Sequence, residues 1–301
     1  MELRAAWLSV GAAVLLSVPA RAEVLEQAVP TIDLPTPDRD SVPHAVAYHP
    51  GFDRYYGADS GSPDRRGWVW DATGTVVQNF PPPLGVDVRG LYYDPTRDAI
   101  EAVTFNAVNG DGGIQQGLFG LGLDGGGLYN GINLNRLASL PGLAGSQTLP
   151  AYDPDRDLLY SRDSTPEVNV VSRADGTLID TITLDLAAAG NPSLQDGFLG
   201  YDPDEQALVA LDPAAQLGLA FGLEGGFLGA SQLSGVDTVN TNGNTGYTNG
   251  QIFVFDGSQE TYHGFRIFVP EPRASAPVAL VGIALLSRLR RKRRTGPQRA
   301  G

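Results

Sequence analysis

Four segments of this 301-residue chain repeat one pattern about 50 residues apart. They are VAYHPGFDRYYGAD from Val46, LYYDPTRDAIEAVT from Leu91, PAYDPDRDLLYSRD from Pro150 and LGYDPDEQALVALD from Leu199. Each sets a Tyr, then Asp or His, then Pro, then Asp or Gln three residues on, before an apolar run. The pattern reads as a hairpin. The Tyr ends a strand, the Pro presets φ at the second turn position, and Asp94, Asp153 and Asp202 can accept turn amide hydrogens. His49 stands in the slot that these aspartates fill, which points to a turn role for it as well.

A second hairpin follows each copy, with Gly74, Gly126, Gly176 and Gly226 expected at the tight turns, 52, 50 and 50 positions apart. Two hairpins per unit make four antiparallel strands, the blade of a β-propeller. The fold class expected is therefore all-β, a propeller of about five four-stranded blades. The repeats resemble those of exported β-propeller families whose units carry Tyr-Asp-Pro before an apolar strand, over about residues 46–268. The last unit departs from the pattern: Gly257 comes only 31 residues after Gly226, and residues 236–250 read as too polar and Gly-rich for a full hairpin. Either residues 31–34 supply a strand that closes the ring or one blade is degenerate. Five blades are favoured over four plus a flap and over a β-sandwich.

Both ends of the chain read as processing segments. Residues 8–18 are almost wholly apolar after a short start with one Arg, and Ala20-Arg21-Ala22 presents small residues two apart. This is the pattern of a secretory signal peptide helix over residues 1–22, cleaved before Glu23, and implies the Sec export machinery as a partner. Between the two ends, residues 23–272 hold 11 basic and 33 acidic residues, a net charge of −22 against −13 for the whole chain. A surface of that sign repels nucleic acid and anionic lipid and favours solubility, divalent cations or basic partners. There is no cysteine, so stability must come from packing, and thiol catalysis and thiolate metal sites are excluded.

Motifs that carry chemistry are few. Residues 120–125 match the dinucleotide fingerprint formally, but they align with hairpins of the other units and no helical period follows them. The chain has no nucleophile elbow and no His-Glu-x-x-His, and His44, His49 and His263 have no Cys or acidic triad beside them. Six residues after the turn acid in two units, and after Gln206 in a third, comes a further Asp, namely Asp59, Asp163 and Asp212, with Thr104 in the fourth. If blade geometry gathers these aspartates on one rim, their oxygens suit Ca²⁺. The plainer reading is that each caps the next turn. No cofactor is required by the sequence.

The chain ends in three parts: Val269-Pro270-Glu271-Pro272, an apolar run over residues 274–289, and the basic cluster Arg290, Arg291, Lys292, Arg293, Arg294. This order resembles the C-terminal sorting region of the PEP-CTERM proteins of Gram-negative bacteria. The resemblance implies processing at the Pro-Glu-Pro segment by an exosortase, with the helix and basic cluster holding the chain transiently in the inner membrane before it reaches the cell surface or exterior. Sixteen residues are short of the roughly 20 that a stable span wants, which suits a temporary stop, and the basic cluster should stay cytoplasmic. The organisation expected is thus a signal peptide over 1–22, a propeller over 23–268 and a sorting signal over 269–301. Three function classes follow: a non-enzymatic surface or matrix protein associated with exopolysaccharide, as the sorting family implies; a metal-dependent enzyme on the propeller, such as a lactonase, lyase or phosphatase; or a carbohydrate- or protein-binding module using Trp68, Trp70, Tyr55 and Tyr56.

Overall fold

A computed structural model of the chain describes residues 23–37, 43–60, 67–79, 86–107, 117–130, 135–145, 147–237, 239 and 244–269. The chain divides into two units, Met1–Phe268 and Val269–Gly301. The described residues contain strands and no α-helix. The signal segment with Ala20 and Ala22, and the sorting segment from Pro270 onward, with Glu271, Pro272 and Arg290, Arg291, Lys292, Arg293 and Arg294, lie outside them.

The chain starts with β1 (Gln27–Ala28) and β2 (Pro30–Pro35) and then builds four blades in sequence. Blade 1 is β3 (Pro43–His49), β4 (Arg54–Asp59), β5 (Gly67–Asp71) and β6 (Val76–Asn79). Blade 2 is β7 (Val86–Asp94), β8 (Ala99–Ala107), β9 (Gly117–Gly120) and β10 (Asn135–Ala138). Blade 3 is β11 (Ala151–Asp153), β12 (Leu158–Arg162), β13 (Glu167–Ser172) and β14 (Leu178–Thr183), and blade 4 is β15 (Gly200–Asp202), β16 (Ala207–Asp212), β17 (Leu217–Gly222) and β18 (Phe227–Leu233). Each is an antiparallel meander. Blade 5 takes β19 (Thr245–Thr248), β20 (Gln251–Asp256) and β21 (Thr261–Phe265) from the end of the propeller and its outer strand, β2, from the start. β1 pairs in parallel with β18 and so laps the edge of blade 4.

The expected five blades are present, and the closing strand is the one expected near residues 31–34. The polar, Gly-rich tract, however, is not empty of structure: it holds β19, the innermost strand of blade 5. Its composition has a steric cause. A side-chain carbon at Gly246 would stand 2.9 Å from the backbone nitrogen of Val46 in β3, so only glycine lets these two inner strands approach. β19 turns into β20 through Asn249-Gly250, both at positive φ (52° and 67°), the two-residue hairpin those residues favour. Asp256-Gly257 therefore lies between the second and third strands of its blade, not the third and fourth, which explains its early position. Two turn assignments also move: the left-handed glycine is Gly127 rather than Gly126 in blade 2, and Gly225 rather than Gly226 in blade 4.

Buried apolar side chains form five clusters, one in each gap between neighbouring blades. Val46, Tyr55, Trp68, Trp70, Phe253 and Tyr262 fill the gap between blades 5 and 1, and Tyr56, Val69, Ile100 and Phe119 that between blades 1 and 2. Trp68, Trp70, Tyr55 and Tyr56 are thus 3% exposed or less and serve as core, which corrects their assignment to a binding surface. An aromatic ring alternating with polar residues looks the same in sequence whether its face meets solvent or the next blade. Each such buried side chain contributes about 1.5–3 kcal/mol.

Candidate functional site at the axial mouth

Five inner strands, β3, β7, β11, β15 and β19, surround the axis. They leave a cavity of about 50 Å³, lined by residues of every blade, including Val46, Leu91, Tyr152, Tyr201 and Thr245. The meander connectivity sends the first and third turns of each blade to one face and the second turns and inter-blade linkers to the other.

The first face is turn chemistry throughout. Asp94, Asp153 and Asp202 accept the amide hydrogens of Thr96, Asp155 and Asp204 at 2.8, 3.0 and 2.9 Å, and His49 Nδ1 accepts that of Gly51 at 3.2 Å. The expected turn role of His49 is therefore borne out. Asp53, Asp98, Asp157 and Gln206 occupy the left-handed position of each turn, and the first three accept the hydroxyls of Tyr48, Tyr93 and Tyr152 at 2.5, 2.7 and 3.3 Å. The Tyr and Asp five residues apart thus brace one turn. Neighbouring blades are tied here too: Arg173 after β13 donates to Glu101 and to Asp94 (2.6 Å) of blade 2 and to Asp157 (3.2 Å).

The opposite face, the mouth, is where each inner strand begins, and it holds polar groups that the turns do not explain. In blade 1, His44 Nδ1 lies 2.8 Å from Ser60 Oγ, both buried. Burial, reinforced by the nearby Arg89 charge, lowers the His44 pKa to about 3. Arg89 pairs with Asp87 at 2.9 Å. From blade 3, Arg162 at the end of β12 is 1% exposed and donates to the backbone carbonyls of Gln195 and of Thr165 (3.1 Å). Gln195, in the linker to blade 4, accepts the Thr245 hydroxyl of blade 5 on Oε1 at 2.7 Å. Asn244 precedes Thr245 and is 1% exposed. Arg162 Nε, Gln195 Nε2 and both side-chain polar atoms of Asn244 are buried without hydrogen-bond partners. Buried polar atoms are nearly always partnered, and each exception costs about 1–3 kcal/mol, so the two unused donors on the bonded pair Arg162 and Gln195 mark a place for a ligand or water.

The aspartates expected to gather are placed at equivalent positions, the mouth ends of second strands, with Asp256 in the same slot of blade 5. Asp212 accepts the amides of Ala214 and Ala215 at 3.0 Å and of Ser193 at 2.9 Å, and Asp163 that of Ser164 at 2.5 Å. These are the caps of the plainer reading. Asp59 is 3% exposed and lies near the Tyr262 hydroxyl. Among the described residues no group of three or more His, Asp or Glu side chains is placed to hold a metal ion. Asp59, Asp163 and Asp212 therefore do not come together as a Ca²⁺ site, each standing at the end of the second strand of a different blade.

Arg162 and Gln195, which meet at the mouth, were not singled out from the sequence, although one signal was available. The fifth residue after the left-handed turn position is Ala58, Val103, Leu211 and Phe255 in four blades and Arg162 in blade 3. A cation in an otherwise apolar slot of the repeat is the anomaly. Gln195 and Asn244 carry no such mark, since they lie outside the repeated pattern.

No protein-family model matches the chain, and no curated protein matches it. Among solved structures it is similar to the glutaminyl cyclase of Myxococcus xanthus, with 15% identity and a TM-score of 0.55 over 82% of this chain and 99% of that one. A gluconolactonase of Xanthomonas campestris aligns over 82% of this chain and 99% of that one at 14% identity, with a TM-score of 0.44. The first likeness establishes the propeller fold.

Proposed function

We propose that this chain is an exported propeller that serves as a binding module for a small polar ligand, taken at the axial mouth. The observation that carries this reading is the pair of buried, partnerless donors Arg162 Nε and Gln195 Nε2, on residues joined by the bond from Arg162 to the Gln195 carbonyl. Export rests on the signal-like residues 1–22 and delivery on the Val269-Pro270-Glu271-Pro272 segment with its apolar run and basic cluster. Exosortase would be the processing partner, with the inner membrane a transient one and exopolysaccharide the setting.

One observation favours an enzyme instead, the contact between the Ser60 hydroxyl and the His44 ring. Magnitude decides against it. A general base works best with a pKa near the operating pH, and an imidazole held at about 3 is a poor acceptor for a serine proton. The pair is better read as a neutral hydrogen bond that satisfies two buried groups.

The binding reading is tested by replacing Gln195 with Met, which keeps the length and removes the unused NH₂, with thermal unfolding of the purified protein as the measurement. Small polar ligands that raise the parent's Tm should lose that effect in the variant. Ligands that stabilise both proteins equally would place binding elsewhere. The delivery reading is tested by Glu271→Ala in the native host: unprocessed chain should accumulate in the inner membrane, and normal release would reject it.

A further inference from the structure

Among the described residues two arginines are buried, and their surroundings differ in kind. Arg173, 5% exposed, sits among the carboxylates of Glu101, Asp94 and Asp157. Arg162, 1% exposed, has none within ion-pair distance: its two Nη groups donate to neutral carbonyls, and its Nε has no acceptor. Asp163 and Asp196 influence it only at longer range, against a burial that disfavours the charge. A guanidinium stripped of water and left without an anion costs several kcal/mol. A structure retains such a charge where something negative is meant to meet it.

Gln195 is matched to the same task. It commits its side-chain oxygen to Thr245 and keeps its NH₂ unused, while its backbone carbonyl accepts from the Arg162 guanidinium. The unused groups of this pair are therefore both donors. Thr245 also lines the axial cavity, whose 50 Å³ admits only a few heavy atoms. We propose that Arg162 and Gln195 form a receptor for a small carboxylate, with Arg162 Nε and Gln195 Nε2 donating to its two oxygens. This rests on, and deepens, the binding-module reading. A planar monoanion fits better than phosphate. One guanidinium supplies too little positive charge for a dianion in a segment of net charge −22.

The test compares acetate, glycolate and lactate with acetamide, glycolamide and lactamide, at ionic strength matched with NaCl, by calorimetric titration and thermal unfolding of the purified protein. At least one carboxylate should bind saturably while its neutral counterpart does not. Arg162→Met should weaken that binding by about tenfold or more, the worth of a charge-assisted hydrogen bond. The same substitution should raise the Tm of the ligand-free protein, because it removes an uncompensated buried charge while keeping the packing. A lower Tm in Arg162→Met would mean a structural arginine and overturn the proposal. Binding of a neutral probe that depends on Gln195 would keep the mouth as a site but overturn the carboxylate. Failure of all three acids to bind, or binding unchanged by Arg162→Met, would overturn the receptor.

Discussion

Single residues at the axis and the mouth carry sharp expectations. Gly246→Ala would set a methyl 2.9 Å from the Val46 nitrogen and should destabilise by about 1–3 kcal/mol as overpacking does. Gly257→Ala has nothing within 4 Å of the added carbon and should be nearly neutral; urea unfolding of the two variants separates them. His44 gives a pH dependence with a definite sign. Its pKa in the fold, about 3, lies below its ordinary 6.5. Between those values the unfolded chain takes up a proton that the fold refuses, so this residue's contribution is complete above pH 6.5 and declines as pH falls. The loss should reach roughly 2 kcal/mol by pH 5. His44→Gln, neutral and able to keep a bond to Ser60, should remove that part of the slope in denaturant titrations at pH 5 and 7. An unchanged slope would show that the ring takes up its proton as readily in the fold as in the unfolded chain.

At the level of elements, the buried tie between blades 2 and 3 is the place where one change should do most harm. Glu101 is fully buried and faces both Arg173 and Arg97. Glu101→Ala leaves Arg173 with Asp94 and Asp157 alone and should cost about 3–5 kcal/mol, as breaking a buried pair does, measured against an Arg173→Met, Glu101→Leu double variant that should recover much of it. Elements of this kind also show what a reader of the sequence can and cannot see. The Tyr-Asp-Pro hairpins were legible because each residue in them answers to a local cause: Pro50 and Pro95 fix φ, and Asp153 and Asp202 bind the turn amides. β19 was illegible because its glycine, Gly246, answers to a strand 200 residues away in sequence. Trp68 and Trp70 were misread for the same reason, since the surface that covers them belongs to blade 5. The mouth was legible in one residue only, Arg162, whose neighbours come from a linker and from the start of β19, where no repeat sets an expectation.

For the molecule as a whole, the two ends of the ring meet. Val24 bridges Phe268, Leu25 N–H donates to Ile267 O at 2.8 Å, and β2 lies along β21 with Leu34 fully buried. A circular permutant that joins residue 269 to residue 23 through a short linker, and opens in the exposed Ala187–Gly190 turn after β14, should unfold cooperatively with a Tm close to the parent's. Loss of a cooperative transition would mean that the blade order in the chain, not only the paired edges, holds the ring. The pairing of β2 with β21 also fixes an order of events. Asp33 and His263, bonded at 2.7 Å, are 230 positions apart, and a contact so remote must form late, because loop closure precedes any gain from it. In a chain that emerges with its first residues foremost, β2 stands as an unpaired edge while four blades assemble behind it. The prolines at its two ends, Pro30 and Pro35, are what such a waiting edge needs to avoid pairing with a stranger. Time, as much as space, is arranged by that one strand.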